Sequence, residues 1–179
     1  PHYPEDLRRD LDAFDGQREV FVGLKLLASY HGVPITDKPY QEALEFANAR
    51  GLPVLLHTWG GDRCNGEEQV RKVASLYPRA KWLLGNSLHG KWDEAVAIAR
   101  EFPHVYLELT AVLGLRGILE LFVEKGCGKR MLFGTDLPWF SPHQGIGAVL
   151  AADISDEDRH DILHRNAERL LGDALPSTS

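Results

Sequence analysis

Short apolar runs alternate with amphipathic stretches along this chain, and this alternation constrains the fold more than any other feature. Five runs have the length of a strand and are almost continuously apolar, which is typical of parallel strands buried on both faces. They span residues 20–27, 53–57, 81–85, 105–109 and 131–134. Strands that alternate with helices pair in parallel through right-handed crossovers. The sequence therefore predicts an α/β fold with a five-stranded parallel sheet.

Three of the intervening stretches carry apolar residues at helical spacing, and they span residues 40–50, 92–102 and 156–171. Ser155 is a favourable N-cap for the last of these helices, and Gly172 is a favourable residue just beyond its end. No repeat or linker interrupts the chain, so we expect residues 1–179 to form one domain, with only residues 176–179 frayed.

Composition excludes several classes of function. The chain has 179 residues, a formal charge of −6 and 44% hydrophobic residues. This acidic balance argues against a binder of nucleic acid or of anionic membranes, and no apolar run is long enough to span a membrane. Cys64 and Cys127 form no C-x-x-C pair. We therefore expect a cytoplasmic protein whose partner is a small-molecule substrate.

Polar side chains interrupt or follow every predicted strand. In parallel α/β sheets the functional site forms at the carboxyl ends of the strands, because the loops that begin there lie together. The polar residues in or just after the five runs are Lys25, His57, Asn86 with His89, Glu108, and Asp136.

His57 and Asp136 are the strongest candidates for a metal site. An imidazole and a carboxylate at two strand ends suit Zn²⁺ or Mn²⁺ with water in an open position, although a catalytic zinc normally has three protein ligands. Lys25, Trp59 and Arg63 are candidates for holding an acidic substrate. Trp59 and Trp139 flank the two candidate ligands and are expected to form apolar walls.

Several motifs resemble those of the amidohydrolase-related proteins, the branch of the amidohydrolase superfamily that includes the aminocarboxymuconate-semialdehyde decarboxylase type. Residues 23–37 begin GLKL and end HGVPITD, which resembles the fourth strand and the loop after it. Residues 51–58 read GLPVLLHT, residues 132–139 read LFGTDLPW, and residues 162–171 read ILHRNAERLL. These resemble the fifth strand, the eighth strand and the last helix of the family.

The resemblance implies a (β/α)₈ barrel of which this chain supplies strands four to eight. It implies a divalent metal, Zn²⁺ or Mn²⁺, bound by His57 and Asp136, with Asp136 also acting as the general base. The activity implied is hydrolysis of a carbonyl or C–N bond by metal-activated water, or decarboxylation. Asn86 stands where the family has a catalytic histidine, and His89 is the candidate to replace it.

Two departures from the family pattern keep other functions open. The family's first strand carries a His-x-His pair of metal ligands that this chain lacks, and Asn86 stands in place of the catalytic histidine, so an inactive fragment or binding remnant is one alternative. Another is a doubly wound parallel sheet that binds a nucleotide through residues 85–91. Their sequence, GNSLHGK, has the form of a phosphate-binding loop but lacks the Ser or Thr that would follow it.

The chain is shorter than the roughly 200–250 residues of a closed eight-stranded α/β barrel. An open barrel leaves two strand edges and part of its interior uncovered. We therefore expect a second copy, as in a homo-oligomer, or a preceding N-terminal segment to cover those edges.

Overall fold

A computed structural model describes residues 1–172 of the protein, and the expected fraying of residues 176–179 lies outside this range. Its centre is one sheet of five parallel strands in the order β1-β2-β3-β4-β5. The strands are β1 (Leu24–Leu26), β2 (Pro53–Trp59), β3 (Lys81–His89), β4 (Val105–Glu108) and β5 (Met131–Leu132). The predicted parallel sheet is confirmed.

Helices precede, connect and follow the strands. They are α1 (Pro4–Asp15), α2 (Ala28–His31), α3 (Lys38–Arg50), α4 (Glu67–Leu76), α5 (Trp92–Glu101), α6 (Ile118–Glu124), α7 (Pro142–Ala151), α8 (Asp156–His160) and α9 (Asn166–Leu171). A short 3₁₀ turn covers Gly128–Arg130, and a π-helical turn, Asp161–Arg165, joins α8 to α9. Within residues 1–172, no helix is both long and apolar enough to cross a membrane.

The strand order separates the two predicted architectures. Every strand pairs only with its neighbours in sequence, and all pairs are parallel. A doubly wound sheet reverses its order at a switch point, so that alternative is wrong. Consecutive parallel order is the arrangement of a barrel segment, and the predicted partial barrel is confirmed.

The two faces of the sheet have different environments. In β2 the side chains of Val54, Leu56 and Thr58 are fully buried, whereas Leu55 and His57 on the other face are only partly buried. Since successive side chains on a strand point to opposite faces, one face carries the core and the other lines an open cavity. The helices supply the rest of the core. The largest fully buried side chains of the whole core include Trp82 of β3, Tyr40 of α3 and Phe122 of α6.

The largest differences from prediction concern three elements. The first strand is limited to Leu24–Leu26, because a turn precedes it in which Val20 and Phe21 donate backbone hydrogen bonds to Gln17. The third strand continues as far as His89 rather than ending at residue 85. The last helix contains a π turn, although its predicted N-cap is confirmed: the Ser155 hydroxyl accepts a hydrogen bond from the Asp158 N–H at 3.1 Å.

Candidate active site

A cavity of about 320 Å³ lies on the open face of the sheet and reaches the carboxyl ends of the strands. Each strand or the loop that follows it contributes one ionisable or amide side chain to the lining. These side chains are Lys25, His57, Asn86, Glu108 and Asp136. Apolar residues of the strands and of α9 complete the wall, among them Leu55, Leu83 and Leu170. The structure therefore brings together the polar residues that the sequence places at five separate strands.

His57 is held as a neutral imidazole. The side-chain amide of Asn86 lies 3.2 Å from His57 Nδ1. Because the amide nitrogen can only donate, Nδ1 must accept and the ring proton belongs on Nε2. Burial lowers the pKa of His57, and the nearby positive charge of Lys25 lowers it further, against the opposing charges of Asp136 and Asp62. To bind a ligand ion through Nε2, the neutral ring would carry its proton on Nδ1, and the Asn86 amide would turn to present its oxygen to that proton.

Three consecutive non-glycine residues adopt the left-handed conformation at the end of β3. The φ angles of Asn86, Ser87 and Leu88 are 68°, 48° and 53°. This conformation costs an L-residue about 1–2 kcal/mol, with Asn the most tolerant type after Gly. The left-handed turn at residues 86–88 turns Asn86 towards His57.

Hydrogen bonds from two neighbouring strands hold this left-handed turn. The hydroxyl of Thr58 on β2 donates to the Gly85 carbonyl at 2.7 Å and accepts from the Leu88 N–H at 2.9 Å. On the β4 side, the Ser87 hydroxyl donates to the Glu108 carbonyl at 2.7 Å. The turn is thus fixed from both sides, which explains why β3 continues beyond its apolar run.

Glu108 is a buried carboxyl group to which sequence reasoning assigned no role. It accepts hydrogen bonds from the Asn86 N–H at 3.1 Å, the Thr110 N–H at 3.1 Å and the Thr110 hydroxyl at 2.5 Å. Burial raises its pKa, while these hydrogen bonds and the charge of Lys25 act in the opposite direction. The signal in the sequence was a charged residue inside an apolar strand, because such a group is seldom buried without partners.

Asp136 follows β5 in a short irregular loop. Its φ angle is 49°, and its carbonyl accepts a hydrogen bond from the Trp139 N–H at 2.8 Å. Gly134, two residues earlier, packs so tightly against Glu108 that a Cβ atom there would overlap the carboxylate oxygen Oε1. A glycine at this position therefore lets the β5 loop pass beside Glu108 and brings Asp136 to the cavity.

Lys25 is the cation of the cavity. Burial lowers the pKa of its ammonium group, and the negative charges of Glu108 and Asp136 act in the opposite direction. Its position on β1 places it across the sheet from those two carboxyl groups. The arrangement can attract an anionic group into the cavity.

The other candidate residues lie outside the cavity lining. Trp59 stacks on His89, with ring centroids 4.3 Å apart, and His89 also meets the edge of Trp92 at 5.0 Å. Arg63 donates to the Gly32 carbonyl at 3.3 Å. Trp139 is 80% exposed. Asn86, and not His89, is the residue of this segment that reaches His57, and the roles predicted for Trp59, Arg63, His89 and Trp139 stay predictions.

The metal-binding capacity of the cavity is limited. In the part of the chain that the structure describes, no group of three or more His, Cys, Asp or Glu side chains is placed to hold a metal ion. His57 and Asp136 line the same cavity, and Glu108 is committed to the three hydrogen bonds above. The residues present therefore do not form a complete metal site.

The phosphate-loop alternative is incompatible with the structure. Such a loop presents free backbone N–H groups to a phosphate. Here residues 85–89 belong to β3, and the N–H groups of Asn86, Leu88 and Lys91 already donate to Glu108, Thr58 and the Leu88 carbonyl, respectively. The prediction of nucleotide binding through residues 85–91 is wrong for this physical reason.

The sequence profile of a family described as amidohydrolase matches residues 5–172. No curated protein matches the chain. Solved structures do match, and one of them is an uncharacterised TIM-barrel protein from Bordetella bronchiseptica. It shares 24% identity and a TM-score of 0.69, and the alignment covers 79% of this chain and 53% of that one.

Two decarboxylases are similar in fold at lower identity. A dihydroxybenzoic acid decarboxylase from a Polaromonas species, with bound manganese and 2-nitroresorcinol, gives 18% identity and a TM-score of 0.73, covering 94% of this chain and 65% of that one. A 5-carboxyvanillate decarboxylase from Novosphingobium aromaticivorans, also with manganese, gives 11% identity and a TM-score of 0.73, covering 96% and 62%. The chain thus spans between about half and two thirds of the length of these three structures.

Proposed function

Because the chain belongs to the amidohydrolase family, we propose that it carries part of the active site of a metal-dependent hydrolase or decarboxylase. Its substrate is a small acidic molecule, and the reacting group is a carboxylate or a carbonyl or C–N bond. The observation that carries the proposal is the convergence of Lys25, His57, Asn86, Glu108 and Asp136 on one cavity. Unrelated structural roles would not require all five strands to contribute a polar group to the same space.

Metal binding by the whole enzyme needs more than this cavity offers. His57 and Asp136 are the two residues here that would serve as ligands, and a catalytic zinc normally takes three from the protein. The remaining ligands would come from a second copy of the chain or from polypeptide other than residues 1–172. The chemistry that this chain's own side chains supply is substrate binding and proton transfer.

The role of each of those side chains follows from its charge and from the protons that it can donate or accept. The Lys25 ammonium attracts the acidic group of the substrate. The Asp136 carboxylate, at the strand ends, takes up or delivers the proton of the reaction. Asn86 sets the tautomer of His57 through its contact with Nδ1, and it cannot itself relay a proton at neutral pH.

The uncovered edges of the sheet support a partner in the active form. Within residues 1–172, β1 and β5 each pair on one side only. Between α1 and β1 lies a second cavity of about 510 Å³ with apolar residues such as Leu11, Phe14 and Leu24 in its wall. Exposed strand edges are prone to pairing with further chain. A second copy or a further segment of polypeptide that covers these edges would complete the site.

The proposal is tested by activity and binding measured on the same samples. The chain, supplied with Mn²⁺ or Zn²⁺, is assayed for release of CO₂ from 2,6-dihydroxybenzoate and 5-carboxyvanillate and for hydrolysis of amide substrates of similar size. We expect turnover that falls at least about 100-fold in Asp136→Asn, with Asp12→Asn, at an exposed residue of α1 outside the cavity, as the matched control. Activity that is equal in both variants would refute the assignment of Asp136.

A second candidate function is a binding remnant without catalysis, and the incomplete set of metal ligands favours it. It predicts no turnover with either metal, but binding of 2-nitroresorcinol that weakens in Lys25→Gln. Absence of both turnover and binding would refute both candidates.

A further inference from the structure

Two histidines on the C-terminal helical segment form a pair that the cavity does not use. His160 ends α8 and His164 lies four residues later in the π turn, so both side chains lie on the same exposed side of the helix. Their rings meet edge to face with centroids 5.6 Å apart. The residues of this segment that line the cavity are Ala167, Leu170 and Leu171, and the pair is therefore separate from the site described above.

The distance between the two imidazoles matches that of two ligands on one metal ion. His160 Nδ1 lies 3.3 Å from His164 Nε2. Two nitrogens bound to Zn²⁺ at about 2.0–2.1 Å and at a tetrahedral angle are separated by about 3.3–3.4 Å. The separation of the two nitrogens therefore already suits a shared metal ion.

A carboxylate already orients the second histidine. His164 Nδ1 lies 2.9 Å from Glu168 Oε1. Because a carboxylate accepts, His164 carries its proton on Nδ1 and keeps the lone pair of Nε2 free for a ligand bond. A carboxylate that accepts from the second nitrogen of a ligand histidine is the usual support in metal sites, where it fixes the tautomer and raises the basicity of the ligand.

The nearby cations are occupied elsewhere. The Arg165 guanidinium pairs with Glu157 at 2.7 Å, and that of Arg159 pairs with Asp156 at 2.6 Å. Both histidine side chains are exposed, so an ion can reach them from solvent and keep water in its other positions.

We propose that His160 and His164 form a surface site for one divalent transition-metal ion, Zn²⁺ or Ni²⁺, with two imidazole ligands. In the free protein His160 Nδ1–H donates to His164 Nε2. On binding, His160 moves this proton to its own Nε2, and the metal takes the lone pairs of His160 Nδ1 and His164 Nε2. No proton is released by this exchange. The site has only two protein ligands, which agrees with the lack of a three-ligand group among residues 1–172.

The bound ion would also clamp the π turn. It links the end of α8 to the turn that leads into α9, and α9 packs on β5 through Asn166. A ligand that binds only the folded state stabilises it in proportion to its occupancy. Metal binding is therefore expected to raise the thermal unfolding midpoint of the chain.

The test is calorimetric titration of the chain with ZnCl₂ and with NiCl₂. We expect His160→Asn and His164→Asn each to weaken one binding event at least about tenfold, and Glu168→Gln to weaken it about tenfold. His143→Asn removes a lone exposed histidine from α7 and serves as the matched control, and His57→Asn separates this event from any binding in the cavity. Both controls are expected to keep the event within twofold.

Thermal unfolding of the same variants supplies the second measurement and shows that they fold. A metal-dependent rise in the midpoint is expected in the wild-type chain and in His143→Asn, and not in His160→Asn or His164→Asn. The proposal is overturned if His160→Asn and His164→Asn retain wild-type affinity, or if His143→Asn weakens binding as much as they do. An unchanged affinity in Glu168→Gln would overturn the role of Glu168.

Discussion

Replacement of Thr58 by Val tests whether one hydroxyl holds the left-handed turn at residues 86–88. Val has nearly the same shape as Thr, and Thr58 is fully buried, so the change creates no cavity. It removes the donor to the Gly85 carbonyl and the acceptor for the Leu88 N–H. Both backbone groups belong to buried residues, and neither gains a partner from the new methyl group.

The expected loss follows from these two groups. A buried polar group left without a partner costs about 1–3 kcal/mol. The Gly85 carbonyl has a second lone pair that can still accept a hydrogen bond, and the turn can relax. We therefore expect a total loss of about 2–4 kcal/mol in the free energy of unfolding. For a chain of this length 1 kcal/mol corresponds to about 2–4 °C in Tm, so the midpoint should fall by about 5–15 °C.

Thermal unfolding followed by circular dichroism measures this loss, and hydrogen exchange at the Leu88 amide locates it. Thr58→Ser is the matched control, because it keeps the hydroxyl and removes one buried methyl group, at a cost of about 1 kcal/mol. If Thr58→Val unfolds at the same temperature as Thr58→Ser and exchanges the Leu88 amide no faster, the reasoning about the turn is refuted.

Three further substitutions probe the same part of the fold. Burial holds the pKa of Glu108 above its ordinary value of 4.5, so the stability this group contributes is complete below that pH and is lost as pH rises through the folded-state pKa. In urea unfolding, Glu108→Gln should remove this decline as pH rises above 4.5, and a decline equal to that of the wild type would contradict the assignment. Gly134→Ala places a Cβ against the Glu108 carboxylate and should cost about 1–3 kcal/mol, with Gly147→Ala, which meets no neighbouring atom, as the control in the same urea titration. Asn166→Ala removes side-chain hydrogen bonds of 2.8 and 2.7 Å to the Gly128 and Met131 carbonyls and should lower stability by about 2–3 kcal/mol; a loss below about 0.5 kcal/mol in calorimetry would show that water replaces the amide.

The sheet could be predicted because continuous apolar runs of strand length indicate buried parallel strands. Each of the five strands lies within or begins at a continuous apolar run, since both of its faces are covered or turned to the barrel interior. The consecutive order could be inferred only through the family resemblance, because the same runs permit a doubly wound sheet. The presence of each strand could therefore be predicted from its own residues, whereas the order of the strands in the sheet could not.

The element boundaries that were predicted wrongly depend on contacts between residues that are distant in sequence. β3 continues to His89 because Thr58 and Glu108 satisfy the backbone and side chains of a segment that has no strand-like pattern. The π turn in the last helix contains Asp161, a buried carboxylate paired with Lys129 and Arg169. No helical periodicity in residues 156–171 signals an ion pair with a lysine 32 residues earlier.

The residues of the candidate site could be predicted from the sequence, but the directions of their side chains could be predicted only in part. The rule that sites form at the carboxyl ends of parallel strands selected Lys25, His57, Asn86, Glu108 and Asp136, all of which line the cavity. It could not exclude His89 or Trp59, because whether a side chain after a strand faces the cavity depends on the local backbone. In this chain a register shift between His57 and Trp59 and the left-handed turn of β3 decide it.

The consecutive order of the strands has a consequence for how the protein reaches its functional state. The first residues of successive strands are separated by 24 to 29 positions along the chain, so each pairing closes a loop of nearly the same length and entropy. The sheet can thus grow one strand at a time from the N-terminus, as a nascent chain emerges during synthesis. Each of these steps, however, adds a side chain to the cavity lining, and Asp136 is added with the last strand. Ligand binding to this cavity is therefore a measure of completed folding, and a ligand would act most strongly on the docking of β5 and the helices that follow it.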